Sequence, residues 1–117
     1  MKRWNYSKGQ KGEEKAREYL EKKGYKLTMA NYVCKIGQID LVMEDRGWLV
    51  FVEVKYKTDD RFGTPEEMLG RGKLAQVKRV ANWYLMENKE MKRKYEKYRI
   101  DAVCILGEEI KHYQNIY

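Results

Sequence analysis

The sequence predicts an α/β sandwich, a mixed sheet of about five strands with helices on both faces. Three observations carry that reading. Trp48-Leu49-Val50-Phe51-Val52 is an unbroken apolar run of strand length. Gln38-Ile39-Asp40-Leu41-Val42-Met43-Glu44 alternates ahead of the turn signal Asp45-Arg46-Gly47. Apolar stripes at helical spacing flank this hairpin, Ala16 and Leu20 before it, and Leu74, Val77, Ala81, Tyr84 and Leu85 after it.

The elements follow in order. Residues 12–23 read as a helix stopped by Gly24, with Glu13 on its inner stripe. Residues 25–34 read as a strand, and 37–57 as the hairpin. Residues 57–63 form a polar loop. Thr64-Pro65-Glu66-Glu67 is a capping box with proline at the first helical position. It opens a short helix, interrupted at Gly70-Arg71-Gly72 and followed by a long one from Lys73 to about Glu87. The charged stretch 89–97 either extends that helix or loops out. Residues 98–106 and 110–117 are the last two strands, joined at Gly107-Glu108-Glu109.

The hairpin carries the chemistry. A two-residue turn at Arg46-Gly47 sets Asp45 against Trp48, Asp40 against Glu53 and Gln38 against Lys55. Ile39, Leu41, Met43, Val50, Val52 and Val54 then share an apolar face. A slip of one residue would put Asp40 into that face, so the pattern favours this register. Glu53-Val54-Lys55 places a carboxylate and an ammonium on one face at the end of a core strand. Buried charge needs a partner or a metal, and two opposed carboxylates repel without a cation. Lys55 is the structural candidate for that cation, and Mg²⁺ or Mn²⁺ the functional one.

Composition sets the class. One domain spanning 1–117 is expected from 117 residues. A hydrophobic fraction of 43% argues for a folded chain. The basic N-terminus, Met1 to Tyr6, precedes no apolar segment, so neither a signal peptide nor a membrane partner is expected, and the cytoplasm is the expected location. Cys34 and Cys104 lack metal spacing and are expected as reduced, buried thiols; His112 is expected at the surface. The net charge is +7, and residues 71–97 hold nine Lys or Arg against three Glu. Arg71, Lys73, Lys78 and Arg79 are the candidate phosphate contacts in that strip. A solvated helix face is the plainer explanation of the same charges. Arg99 and Asp101, at strand spacing, are expected to pair with each other.

Asp40 followed by Glu53-Val54-Lys55 resembles the PD-(D/E)XK core of nucleases with the restriction-endonuclease-like fold. More of the chain resembles one family within that group, the YraN-like endonuclease family. The matching pieces are Gly9-Gln10-Lys11-Gly12-Glu13, Ala16, Tyr19-Leu20, Gly24-Tyr25, Asn31, Gly37-Gln38-Ile39-Asp40-Leu41, Phe51 to Lys55, Phe62-Gly63, Lys73, Ala81, Tyr84-Leu85 and Arg99-Ile100-Asp101. The likeness to archaeal Holliday junction resolvases is looser. These resemblances imply a restriction-endonuclease-like three-layer sandwich and metal-dependent hydrolysis of DNA, on branched or structured substrates by analogy. They imply Asp40, Glu53 and Glu13 as ligands of Mg²⁺ or Mn²⁺, Lys55 as the catalytic cation, and a homodimer with paired sites. Gln38 stands where the family commonly has glutamate, which implies weaker metal binding. The alternative is a nucleic-acid-binding protein that keeps the fold without turnover.

Overall fold

The computed structural model describes residues 8–57 and 61–116, the side chains of residues 8–11 excepted. Its elements are α1 (Lys8–Lys22), β1 (Lys26–Cys34), β2 (Gly37–Asp45), β3 (Trp48–Lys57), α2 (Pro65–Leu69), α3 (Arg71–Glu87), α4 (Lys89–Lys94), β4 (Lys97–Leu106) and β5 (Glu109–Tyr113). The middle of the expected 57–63 loop and Tyr117 lie outside the described residues, as do Trp4 and the rest of the N-terminal segment.

The strands lie in the order β1-β2-β3-β4-β5. β3 and β4 are parallel, and the other neighbours are antiparallel. A parallel neighbour cannot be reached by a tight turn, so the chain crosses over through α2, α3 and α4 between β3 and β4. The expected α/β sandwich is present as a five-stranded mixed sheet flanked by helices.

Strand parity assigns the two faces. Leu41, Met43, Val50, Val52, Val103 and Ile105 pack with Ala16 and Leu20 of α1. Val42, Leu49 and Phe51, of the opposite parity, pack with Val77, Val80, Ala81, Tyr84 and Leu85 of α3. Val80 is fully buried although the sequence stripe passed over it, whereas Leu74 is only half-buried.

Glycines let both helices approach the sheet. A Cβ on Gly12 would lie 3.2 Å from Tyr56 Cδ2, so α1 rests close over the end of β3. Gly37 has φ 149°, and a Cβ there would come within 2.8 Å of Gln76 Nε2 and 3.1 Å of Val80 Cγ2. Gln76 Nε2 donates to Ile36 O at 3.1 Å, tying α3 to the β1–β2 turn.

The β2–β3 turn has positive φ at both central residues, Arg46 at 49° and Gly47 at 88°, the signature of a type I′ hairpin. The predicted register is present from Asp45↔Trp48 to Leu41↔Val52. Thr64 forms the predicted capping box with Glu67, donating and accepting reciprocally across the first turn of α2. The stretch after Glu87 becomes the short helix α4. β5 ends at Tyr113 rather than at 117, because the Asn115 N–H turns to Asp101 Oδ1 and the Ile116 N–H to Ile100 O.

Candidate functional site

The β2–β3 ladder stops at Leu41↔Val52, and the site begins there. In an unbroken ladder Ile39 and Val54 would exchange backbone hydrogen bonds. Instead Asp40 Oδ2 accepts the Val54 N–H at 2.8 Å. A side-chain oxygen has replaced a backbone one, and the strands part. This overturns one expectation: Ile39 does not share the face of Leu41 and Met43 but packs with Tyr32 and Val42 on the α3 side. Gln38, expected opposite Lys55, pairs with Val33 of β1 and is exposed.

Three carboxylates form a row at this point. Asp40 is buried and lies close enough to Glu13 of α1 and Glu53 of β3 for its charge to act on both. Burial, then the charge of Asp40, pushes Glu13 up to about 7; a hydrogen bond from Asn31 opposes this. Burial and Asp40 likewise push Glu53 up to about 7, against the pull of Lys73. Both shifts come first from burial and then from the neighbouring charge of Asp40.

The cation beside Glu53 is Lys73, not Lys55. Lys73 Nζ reaches from the first turn of α3 to within 3.1 Å of Glu53 Oε2. Lys55 is exposed, opposite Cys104 in the ladder, and pairs with no described carboxylate. The physical reason is the direction of Glu53. It shares the parity of Leu49 and Phe51, so its carboxylate turns beneath α3, whereas Lys55 lies beyond the buried run at the strand's open end.

Glu53 Oε1 is buried with no hydrogen-bond partner. A buried carboxylate oxygen left unpaired is costly. Asp40 and Glu53 offer carboxylate oxygens of the kind a hard divalent cation takes, beside the Lys73 ammonium. Among the described residues no three such side chains close into a ready-made metal cage. Asp40 and Glu53, with Glu13 beside Asp40, are the acidic side chains gathered at this point. Asn31 was not assigned a role from sequence. Its positive φ of 55° within β1 turns it toward Glu13, a conformation that asparagine tolerates.

The predicted phosphate contacts lie mostly on the outer side of α3. Arg71, Lys78 and Arg79 are exposed there, and Arg71 Nε pairs with Glu66 at 3.3 Å. Lys89, Lys92, Arg93 and Lys94 of α4 continue the basic surface. Lys73 turns inward to the carboxylate row.

A second charged cluster lies on the α1 face of the sheet. Arg99 donates to Asp45 Oδ2 at 3.0 Å and to Asp101 Oδ1 at 2.9 Å, and it also reaches Tyr25 OH. The expected Arg99–Asp101 pair is therefore present. His112 is not a surface residue: its side chain is 5% exposed and Nε2 lies 2.7 Å from Asp101 Oδ2. Tyr25 stacks edgewise on it, and Lys23 Nζ meets Nδ1 at 3.0 Å. The edge strand is covered by the α1–β1 junction, which buries the imidazole. Cys104 is buried, which raises its thiol to about 11, while Cys34 is only half-buried; both are free.

Burial works against the charge of fully buried Asp101, yet hydrogen bonds from His112, Arg99 and the Asn115 N–H outweigh it and hold the carboxyl below its ordinary value. A depressed folded pKa stabilises above the unfolded value and loses that contribution as pH falls through it. Stability is thus expected to fall on acidification below about 4, and Asp101→Asn to flatten that limb. Urea unfolding across a pH series measures both.

Among the described residues no helix is long and apolar enough to cross a membrane. The family model described as uncharacterised protein family UPF0102 matches residues 12–105. A UPF0102 protein of Carboxydothermus hydrogenoformans is 39% identical over 112 residues, 92% of each chain. One from Syntrophomonas wolfei is 42% identical over 100 residues, 86% of this chain and 84% of its own. One from Persephonella marina is 34% identical over 114 residues, 97% and 96% of the two chains. The matched span takes in Glu13, Asp40, Glu53, Lys55 and Lys73, and the chain belongs to the UPF0102 family.

Proposed function

We propose that this protein is a metal-dependent endonuclease of the PD-(D/E)XK type acting on DNA. The observation that carries the reading is the buried, unpartnered Glu53 Oε1 beside the buried Asp40. A divalent cation there would supply an activated water and offset charge on the phosphate. The chain's own groups do the rest. Asp40, fixed by the Val54 N–H, and Glu53, fixed by Lys73, present oxygens from two diverging strands. Glu13, oriented by Asn31, adds an acidic group beside Asp40. Lys55, on the exposed end of β3, would orient the attacking water or stabilise charge as it develops on the phosphate. Arg71, Lys78 and Arg79 would hold the backbone of the duplex. The looser likeness to junction resolvases supports branched DNA as substrate and a two-fold dimer as the assembly.

One observation favours a binding module without turnover: Lys73 and Glu53 already form an ion pair, as a static cluster would. Product formation on linear, flapped and four-way-junction DNA separates the two. Slow cleavage is expected, stronger in Mn²⁺ than in Mg²⁺, and faster in Gln38→Glu, because ligand charge tunes hard-cation affinity. No cleavage by either protein supports the binding module. The basic strip has its own test. Affinity for DNA should fall steeply with salt, and Arg79→Ala should reduce the slope of log affinity against log salt by about 1. An unchanged slope assigns Arg79 to solvation alone.

A further inference from the structure

We propose that Lys73 is an exchangeable counter-ion, holding Glu53 until a divalent cation displaces it. The inference rests on the metal reading above. Its own observations are independent of Lys55. Lys73 Nζ lies 3.1 Å from Glu53 Oε2, while Oε1 of the same carboxylate has no partner. One ammonium therefore half-satisfies one acid in a row of three. The lysine side chain is 34% exposed and the glutamate 7%, so the pair spans the rim and floor of the site.

A cation held between Asp40 and Glu53 would share its ligand with this ammonium. Two positive charges at that separation repel, so metal and Lys73 compete for Glu53. The lysine can yield because its ammonium is a point charge on a flexible stem and its rim position gives it water to enter. Once released, its ammonium can turn to a phosphate at the rim of the site, beside the first turn of α3. One residue thereby changes partner from carboxylate to phosphate as the site is loaded. In exchange terms, Lys73 keeps the unloaded carboxylates together and readies a phosphate contact only when the metal is present.

The test is titration of the full chain with Mn²⁺ alone, by calorimetry at pH 8 and low salt. Wild type, Lys73→Gln and Lys73→Arg are compared, with folding of each checked by its melting temperature. Lys73→Gln keeps a polar side chain of similar length but removes the competing charge. It is expected to bind Mn²⁺ at least about fivefold more tightly, the low end of ordinary coupling between two sites. Mn²⁺ should also raise its melting temperature more than it raises that of wild type. Lys73→Arg should behave as wild type. Unchanged or weaker binding in Lys73→Gln, with wild type binding normally, overturns the exchange and leaves the metal reading standing. Absence of binding in all three overturns both.

Discussion

Arg99→Leu is expected to destabilise the protein by about 3–5 kcal/mol, the usual cost of stranding a buried charge. Arg99 is the only arginine or lysine whose ion pairs to both Asp45 and Asp101 appear among the described residues. Its side chain is 6% exposed, and Asp101 is wholly buried. Leucine fills some of the volume but takes the guanidinium from both acids, leaving Asp101 with Tyr25 and His112 and Asp45 with the exposed Arg46. The loss reaches across the fold, because this cluster joins the α1–β1 junction, the β2–β3 turn, β4 and β5. Trp48 adds to it, with the guanidinium 5.7 Å from its ring. Urea unfolding gives the number. Adding Asp45→Asn to Arg99→Leu should recover part of it, since one stranded charge is removed with its partner. A loss below about 1 kcal/mol in the single variant would show that the acids find other compensation.

Lys55→Ala is expected to reduce cleavage at least about 100-fold, the scale of losing one group that stabilises charge in a transition state. It should leave DNA affinity nearly intact, because the basic surface lies on α3 and α4 and Lys55 on β3. Lys55 is exposed and pairs with no described carboxylate, so its removal should not disturb the fold. That combination separates a catalytic cation from a structural one. Steady-state cleavage and fluorescence anisotropy on the same DNA measure the two arms. Equal cleavage by wild type and variant would point to a contaminating nuclease.

The hairpin was the most legible part of the chain. A two-residue turn with an apolar-polar alternation leaves one register that buries the right side chains, and Asp45↔Trp48 through Leu41↔Val52 follows it. The capping box at Thr64 was legible for the same reason, since its determinants are all local. What escaped was set by contacts distant in sequence. The Glu53 partner comes from α3, twenty residues on, while local spacing pointed to Lys55. His112 looked like an edge residue until the α1–β1 junction covered it. Ile39 changed face because the Asp40 carboxylate took a backbone hydrogen bond, an event that alternation cannot encode.

Asp40 and Glu53 are proposed as a divalent-cation site. The most direct measurement is thermal unfolding with and without Mn²⁺, in wild type and Asp40→Asn. A ligand that binds only the folded state raises its melting temperature by mass action. A saturable rise is expected in wild type and is lost in Asp40→Asn. The same rise in both proteins, or none in either, would contradict it.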